Sequence, residues 1–302
     1  MSEPGRGLLG PAEIRELAAR LGVQPTKKLG QNFVIDPNTV RRIVRIAGVQ
    51  AGESVVEVGP GLGSLTLGLL EQGARVVAVE IDGRLADELP RTVAGAAGEE
   101  TQSRLQVMHA DALRVQELPD PVRLVANLPY NVSVPVLLHF LETFPTLGSG
   151  VVMVQAEVGE RIAAVPGSKA YGSPSVKAAW YGSFRLAGQV SRQVFWPVPN
   201  VDSVLVAFTR HSTAAGPEEL RRPTFSLIDA AFGQRRKMLR QSLAGVFGGS
   251  DAASSALTEA GVDPTTRGER LLVADFLAVA RLLPPPPAAA SSTAEPAGLG
   301  PG

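Results

Sequence analysis

The chain has no cysteine, only three histidines, few aromatic residues (5%) and no excess of charge, with Lys+Arg and Asp+Glu both at 29. Without cysteine, disulfides, thiolate metal sites and cysteine nucleophiles are excluded. His109, His139 and His211 stand too far apart for a sequence-local zinc motif, so no metal is expected. No stretch approaches the 18 or so uninterrupted apolar residues of a membrane span, and Met1-Ser-Glu-Pro-Gly-Arg6 lacks the apolar core of a secretory leader. The expectation is a cytoplasmic protein with no membrane partner. A net charge of zero favours neither an acidic nor a basic ligand, so only local clustering can speak about nucleic acid.

What is present is a foldable composition: 44% of the 302 residues are apolar, and 32 Gly and 24 Pro stay below the share of a low-complexity chain. That length predicts one large α/β domain and something smaller. Ala12 to Leu21 carries apolar residues at helical spacing, and Asp36-Pro37 supplies an N-cap and a first-turn proline for a helix to about Ala47. From Ser54 short β-branched runs alternate with helical stretches: Val55–Val58, Arg75–Val79, Leu105–Met108, Val122–Ala126 and Gly150–Val154. This is the rhythm of a parallel sheet covered by helices on both faces. Phe184–Val190 and Val204–Thr209 are expected to add an antiparallel edge pair. After His211 helical patterns take over at Leu220–Gly233, Arg235–Val246, Ala252–Ala260 and Gly268–Leu283. The expected organisation is an N-terminal extension with a helix (1–26), an α/β domain (27–211), a small all-helical domain (212–283) and a Pro/Ala-rich tail (284–302). That tail has almost nothing to bury and is expected to be disordered.

The segment Glu57-Val58-Gly59-Pro60-Gly61-Leu62-Gly63-Ser64 follows a predicted strand and opens a predicted helix, where glycines let a ligand approach the backbone. A tight turn needing φ > 0 is the plainer reading. A dinucleotide fingerprint would want glycine where Ser64 stands, and a P-loop would need Gly-Lys-Ser/Thr, which is absent. The loop instead matches the Gly-x-Gly-x-Gly of S-adenosylmethionine-dependent methyltransferases. Glu80, ending the second strand, suits the two hydroxyls of a ribose, and Asp111, after the third, suits the exocyclic amine of an adenine. A solvated strand end and an N-cap are the respective alternatives.

Asn127-Leu128-Pro129-Tyr130 follows the fourth strand, at the sheet edge where ligand crevices form. An adenine amine is a poor nucleophile because its lone pair is delocalised into the ring. The Asn127 side-chain oxygen and the Leu128 carbonyl, held extended by Pro129, can each accept one N–H bond and localise that pair. Tyr130 can stack on the base. Such a motif specifies a planar amine rather than a polymer, and a simple turn is the competing reading.

With these motifs come Lys28-Leu29-Gly30-Gln31-Asn32-Phe33, Val154-Gln155-Ala156-Glu157-Val158-Gly159-Glu160-Arg161, Tyr171-Gly172-Ser173-Pro174-Ser175-Val176, Phe195-Trp196-Pro197-Val198-Pro199-Asn200-Val201-Asp202-Ser203 and Phe232-Gly233-Gln234-Arg235-Arg236-Lys237-Met238-Leu239. The ordered set, from about Lys27 to Leu243, resembles the ribosomal RNA small subunit adenine N6-dimethyltransferase family (KsgA/RsmA type), which dimethylates two adjacent adenosines near the 3′ end of 16S rRNA. The resemblance implies a Rossmann-like class I sheet with S-adenosyl-L-methionine as cofactor, and 16S rRNA within the 30S subunit or its precursor as partner. It implies that Asn32 and the Val34 backbone close over the cofactor, that Gly59 and Gly61 line it, that Glu80 holds its ribose and Asp111 marks its adenine. Asn127 would bridge cofactor and target amine, and Phe195 would help Tyr130 sandwich the extruded base; core packing is the alternative for Phe195. Val34 stands where the family usually has Leu, Gly159 where Ala is typical, and Gln241 where Asn is usual.

Lys27 and Lys28, with Arg235, Arg236, Lys237 and Arg240, form basic clusters without acids, and Arg41, Arg42 and Arg45 follow on the next helix. They are candidates for phosphate contact, against the plainer reading of solvated faces. Two other functions fit parts of the pattern: a 23S rRNA adenine methyltransferase of the macrolide-resistance type, and a mainly non-catalytic ribosome-assembly factor on the same fold. A nicotinamide oxidoreductase is disfavoured by Ser64.

Overall fold

Short β-branched runs set the architecture of this computed structural model, which describes residues 7–23 and 32–283. Lys27, Lys28 and the tail 284–302 lie outside the described residues. The strands are β1 (Phe33–Val34), β2 (Ser54–Val58), β3 (Arg75–Glu80), β4 (Leu105–His109), β5 (Arg123–Asn127), β6 (Ser149–Gln155), β7 (Gly182–Val190), β8 (Phe195–Trp196) and β9 (Ser203–Arg210). Seven of them form one sheet in the order β4-β3-β2-β5-β6-β9-β7. The first five are parallel, and β9 and β7 are added antiparallel, as the sequence predicts. Val55, Val56, Leu124, Val125, Val151 and Val152 are all buried, which explains why these strands read as continuous apolar runs rather than alternating ones.

From β2 the chain winds outward through β3 to β4, then returns to place β5 on the other side of β2 and continues to β6. This reversal opens a crevice at the carboxyl ends of β2 and β5. The helices of the same unit are α1 (Pro11–Arg20), α2 (Pro37–Ala47), α3 (Ser64–Glu71), α4 (Gly83–Ala97), α5 (Glu99–Gln102), α6 (Ser133–Thr143), α7 (Ala156–Ile162) and α8 (Ser173–Tyr181). Helix α2 starts as its sequence dictates: Asp36 accepts a 2.9 Å bond from the Thr39 amide, and Pro37 fills the first turn. Helix α1 packs Ile14, Leu17 and Ala18 in a cluster with Phe33, Leu62 and Leu85. A feature too short for periodicity to register is the two-residue ribbon of β1 and β8, which pairs Phe33 with Trp196 and Val34 with Phe195.

The described residues divide into two units: those up to Pro217 with Glu269–Ala274, and Glu218–Gly268 with residues 275–283. The second is helical, with α9 (Arg221–Gly233), α10 (Leu239–Ser242), α11 (Ala244–Phe247), α12 (Ser250–Glu259) and most of α13 (Val273–Ala280). The continuous helix expected over Arg235–Val246 does not form. A helix would direct the Leu239 and Arg240 amides to carbonyls four residues back, but they donate to Thr266 (2.8 Å) and Pro264 (3.1 Å). Residues 234–237 turn instead. The helix expected over Gly268–Leu283 is likewise shorter, a 3₁₀ turn at Gly268–Arg270 preceding α13.

Candidate active site

The loop joining β2 to α3 is shaped by glycine. Gly61 and Gly63 have φ of 58° and 93°, the left-handed region. A Cβ on Gly61 would meet the Phe33 ring at 2.8 Å, and one on Gly63 the Leu89 methyl at 2.8 Å. Ser64, the residue that spoils a dinucleotide fingerprint, is buried, and its hydroxyl donates a 2.6 Å bond to the Val34 carbonyl. The Phe33–Val34 segment is thereby fastened to the first turn of α3. Together these parts wall a cavity of about 250 Å³ at the carboxyl ends of β2, β3 and β5.

Three acidic side chains line that cavity: Glu57, Glu80 and Asp111. Glu80 is 5% exposed and is held by backbone amides, one oxygen accepting from Ile81 (2.9 Å) and Asp82 (3.0 Å), the other from Gly61 (3.1 Å). Burial raises its pKa, and the three N–H bonds oppose that rise. Glu57 is 1% exposed and has Thr66 as its hydrogen-bond partner, at 2.6 Å. Desolvation outweighs that bond and, helped by the nearby Glu80 charge, pushes Glu57 up to about 8. Asp111 caps a 3₁₀ turn by accepting from the Leu113 amide at 3.0 Å, so its capping role is real, and it also lines the cavity.

On the opposite wall the Asn127 side chain, at the end of β5, donates from Nδ2 to the Asn32 carbonyl at 2.9 Å. Its Oδ1 is buried and has no hydrogen-bond partner, a costly arrangement unless a ligand supplies the donor. Leu128 donates its amide to Met153 at 3.1 Å and buries its side chain. Pro129 lines the cavity and comes within 3.8 Å of the position a Cβ on Gly59 would take. The Tyr130 hydroxyl shares a 2.7 Å bond with Ser203, and burial raises its pKa.

Of the sequence-predicted cofactor residues, Asn32, Val34, Gly59, Gly61, Glu80, Asp111 and Asn127 all line one cavity. Leu128, Tyr130 and Phe195 are not among its lining side chains. Phe195 is 1% exposed and packs in the main core cluster, and its backbone pairs with Val34. The candidate phosphate-contacting cations differ in their surroundings. Arg41 is paired with Glu71 at 2.9 Å and Arg42 bonds the Gln189 carbonyl at 2.9 Å, both at the solvent-exposed surface. Arg236 and Lys237 are exposed, and Arg235 and Arg240 half-buried, in the second unit.

Sequence reasoning missed Glu57, Phe33, Ser64 and two apolar side chains at the cavity rim, Ile81 (54% exposed) and Leu113 (38% exposed). The available signal was position: each lies one or two residues from a residue that was singled out. An apolar pair beside Asp111 suits a planar heterocycle, Glu80 a vicinal diol, and a cavity lined by carboxylates a cationic ligand. This donor set fits S-adenosylmethionine.

Fold and site together define a class I S-adenosylmethionine-dependent methyltransferase. In fold the chain is similar to the 23S rRNA methyltransferase ErmE (24% identical, TM-score 0.62, 83% of this chain and 99% of that one). It is also similar to a dimethyladenosine transferase from Plasmodium falciparum (22% identical, TM-score 0.69, 81% and 94%). Residues 23–284 match the family Ribosomal RNA adenine dimethylase, and the chain belongs to that family. Among curated relatives it is 73% identical over 274 residues to the Ribosomal RNA small subunit methyltransferase A of Leifsonia xyli subsp. xyli, covering 90% of this chain and 98% of the relative. It is 57% identical over 283 residues to the protein of that name from Streptomyces avermitilis, covering 93% and 96%. No helix among the described residues is long and apolar enough to cross a membrane.

Proposed function

We propose that the chain methylates N6 of two adjacent adenosines near the 3′ end of 16S rRNA, twice each, acting on the 30S subunit or its precursor in the cytoplasm. The observation that carries this reading is the unpartnered, buried Oδ1 of Asn127 at the cavity wall. Nδ2 is already committed to the Asn32 carbonyl, so the amide cannot flip, and Oδ1 is left as an acceptor aimed at an incoming N–H. The Leu128 carbonyl, preceding Pro129, takes the second N–H. Two acceptors draw the amine lone pair out of conjugation with the ring.

The bound cofactor supplies a methyl group already activated on a sulfonium. The remaining work is alignment, which the fold performs by holding Asn127 rigidly and by fixing Tyr130 through Ser203 as a stacking face. A general base is not required, because the attacking amine is neutral and its proton leaves to water after transfer. Arg235, Arg236, Lys237 and Arg240, with Lys27 and Lys28, are the proposed phosphate contacts, a sequence-independent contribution to RNA affinity. The names borne by the similar curated proteins support the small subunit over 23S rRNA as target.

The test is Asn127→Ala on under-methylated 30S particles with labelled cofactor. Turnover should fall by roughly 10² to 10³, as when one preorganised polar contact to a reacting centre is removed, while cofactor binding stays measurable. Wild-type turnover in that variant overturns the role of Asn127. Label on naked 23S transcripts but not on 30S particles overturns the assignment of the substrate.

A further inference from the structure

Two buried acidic side chains, Glu57 and Glu80, line the cofactor cavity, and the cofactor reading gives a task, the ribose, to Glu80 alone. Glu80 is anchored by three backbone amides, which favour its charged form against the effect of burial. Glu57 is different: its hydrogen-bond partner is the hydroxyl of Thr66, itself fully buried, and no amide or cation holds its charge. The charged groups around it do not help. Glu80 on β3 repels it. Arg123, at the far end of β5, is paired with Glu53, and Glu71, at the far end of α3, with Arg41. At the rim Asp82 is paired with Arg84, and Asp111 lies 3.7 Å from Arg114. Among the described residues no cation pairs with Glu57 or Glu80.

A buried carboxyl beside a buried carboxylate keeps its proton until a positive charge arrives. The sulfur of the ligand changes charge during the reaction, from a sulfonium before transfer to a neutral thioether after it, while the amino-acid end keeps its ammonium and carboxylate in both forms. We propose that the Glu57–Glu80 pair distinguishes the donor from its spent product: Glu57 gives up its proton to solvent when a sulfonium enters, and takes one back when the thioether is left. The proton moves between Glu57 and buffer, so no other co-reactant is needed. Donor binding is thereby coupled to pH and product binding much less so, which favours exchange of product for donor at neutral and mildly basic pH. The inference rests on the cofactor reading of the cavity given above.

The experiment is calorimetric titration of the full chain with S-adenosylmethionine and, separately, with S-adenosylhomocysteine, at pH 7 in phosphate and in Tris. These buffers differ in ionisation enthalpy, so a released proton appears as a buffer-dependent heat. The expected result is release of most of one proton with the sulfonium, clearly less with the thioether, and none in Glu57→Gln. Sulfonium affinity should rise by up to about tenfold per pH unit below pH 8, the slope of one linked proton. Thr66→Val, which removes the bond favouring the charged form, should move that profile to higher pH, and it serves if Glu57→Gln does not fold. Buffer-independent heat with the donor bound, equal release with both ligands, or an unmoved profile in Thr66→Val overturns the inference. Absence of any donor binding would instead overturn the cofactor reading on which it rests.

Discussion

The two walls of the cavity are built on opposite principles. On the donor side nearly every polar group is already satisfied: Glu80 by three amides, Ser64 by the Val34 carbonyl, Glu57 by Thr66. On the acceptor side the Asn127 oxygen is left with nothing to bind. A satisfied wall shapes a space and survives without its ligand, whereas an unsatisfied one stores a demand that only the right ligand meets. The difference separates binding from reaction, so substitutions on the two walls should separate affinity from turnover.

The sharpest break is expected at Gly61. Gly61→Ala places a methyl 2.8 Å from the Phe33 ring on a left-handed backbone, at a cost of about 1–3 kcal/mol. Donor affinity should drop by roughly tenfold or more, read by calorimetry, with the thermal midpoint falling in parallel. If Gly61→Ala instead leaves affinity intact and lowers only turnover, the division between the walls is wrong.

A second test concerns the energetic cost of Glu57. Its ordinary pKa near 4.5 rises to about 8 in the folded protein, so the folded state holds more protons than the unfolded one across that interval. Stability contributed by the protonated group is therefore full below pH 4.5 and is lost as pH rises toward 8. Glu57→Gln should flatten that decline, with a difference on the order of a few kcal/mol between the ends of the window, measured by denaturant unfolding at a series of pH values. A decline identical to wild type would show that another group is responsible.

The smallest effect is expected where the acceptor wall is braced from behind. Ser203→Ala removes the 2.7 Å partner of the Tyr130 hydroxyl. It should cost about 1 kcal/mol of stability, with a severalfold rise in KM for the RNA particle and no change in donor affinity. A weakened grip on the donor would mean that Tyr130 serves both walls.

Much of this was legible in the residues. The parallel strands show because burial on both faces imposes uninterrupted Val, Leu and Ala, and the glycine loop shows because only glycine tolerates the backbone angles at 61 and 63. The lining by Asn32, Glu80, Asp111 and Asn127 follows from their positions at strand ends. Less visible were features set by distant chain. The break at 234–238 depends on carbonyls of Pro264 and Thr266, which no local pattern contains. The ribbon of β1 with β8 is two residues long, below any period, and it is what turns Phe195 into core. Glu57 reads as an ordinary acid at a strand end, and its altered chemistry comes from Thr66, Glu80 and the loss of water, all supplied by folding.

The Asn127 amide is steered by the carbonyl of Asn32, a main-chain atom, rather than by any neighbouring side chain. Exchange of the residue at 32 therefore leaves the steering group in place, and only displacement of the strand path can turn the amide. The aim of the chemistry is kept by the course of the polypeptide itself, which makes it robust to point change and vulnerable to insertion or deletion just before Phe33.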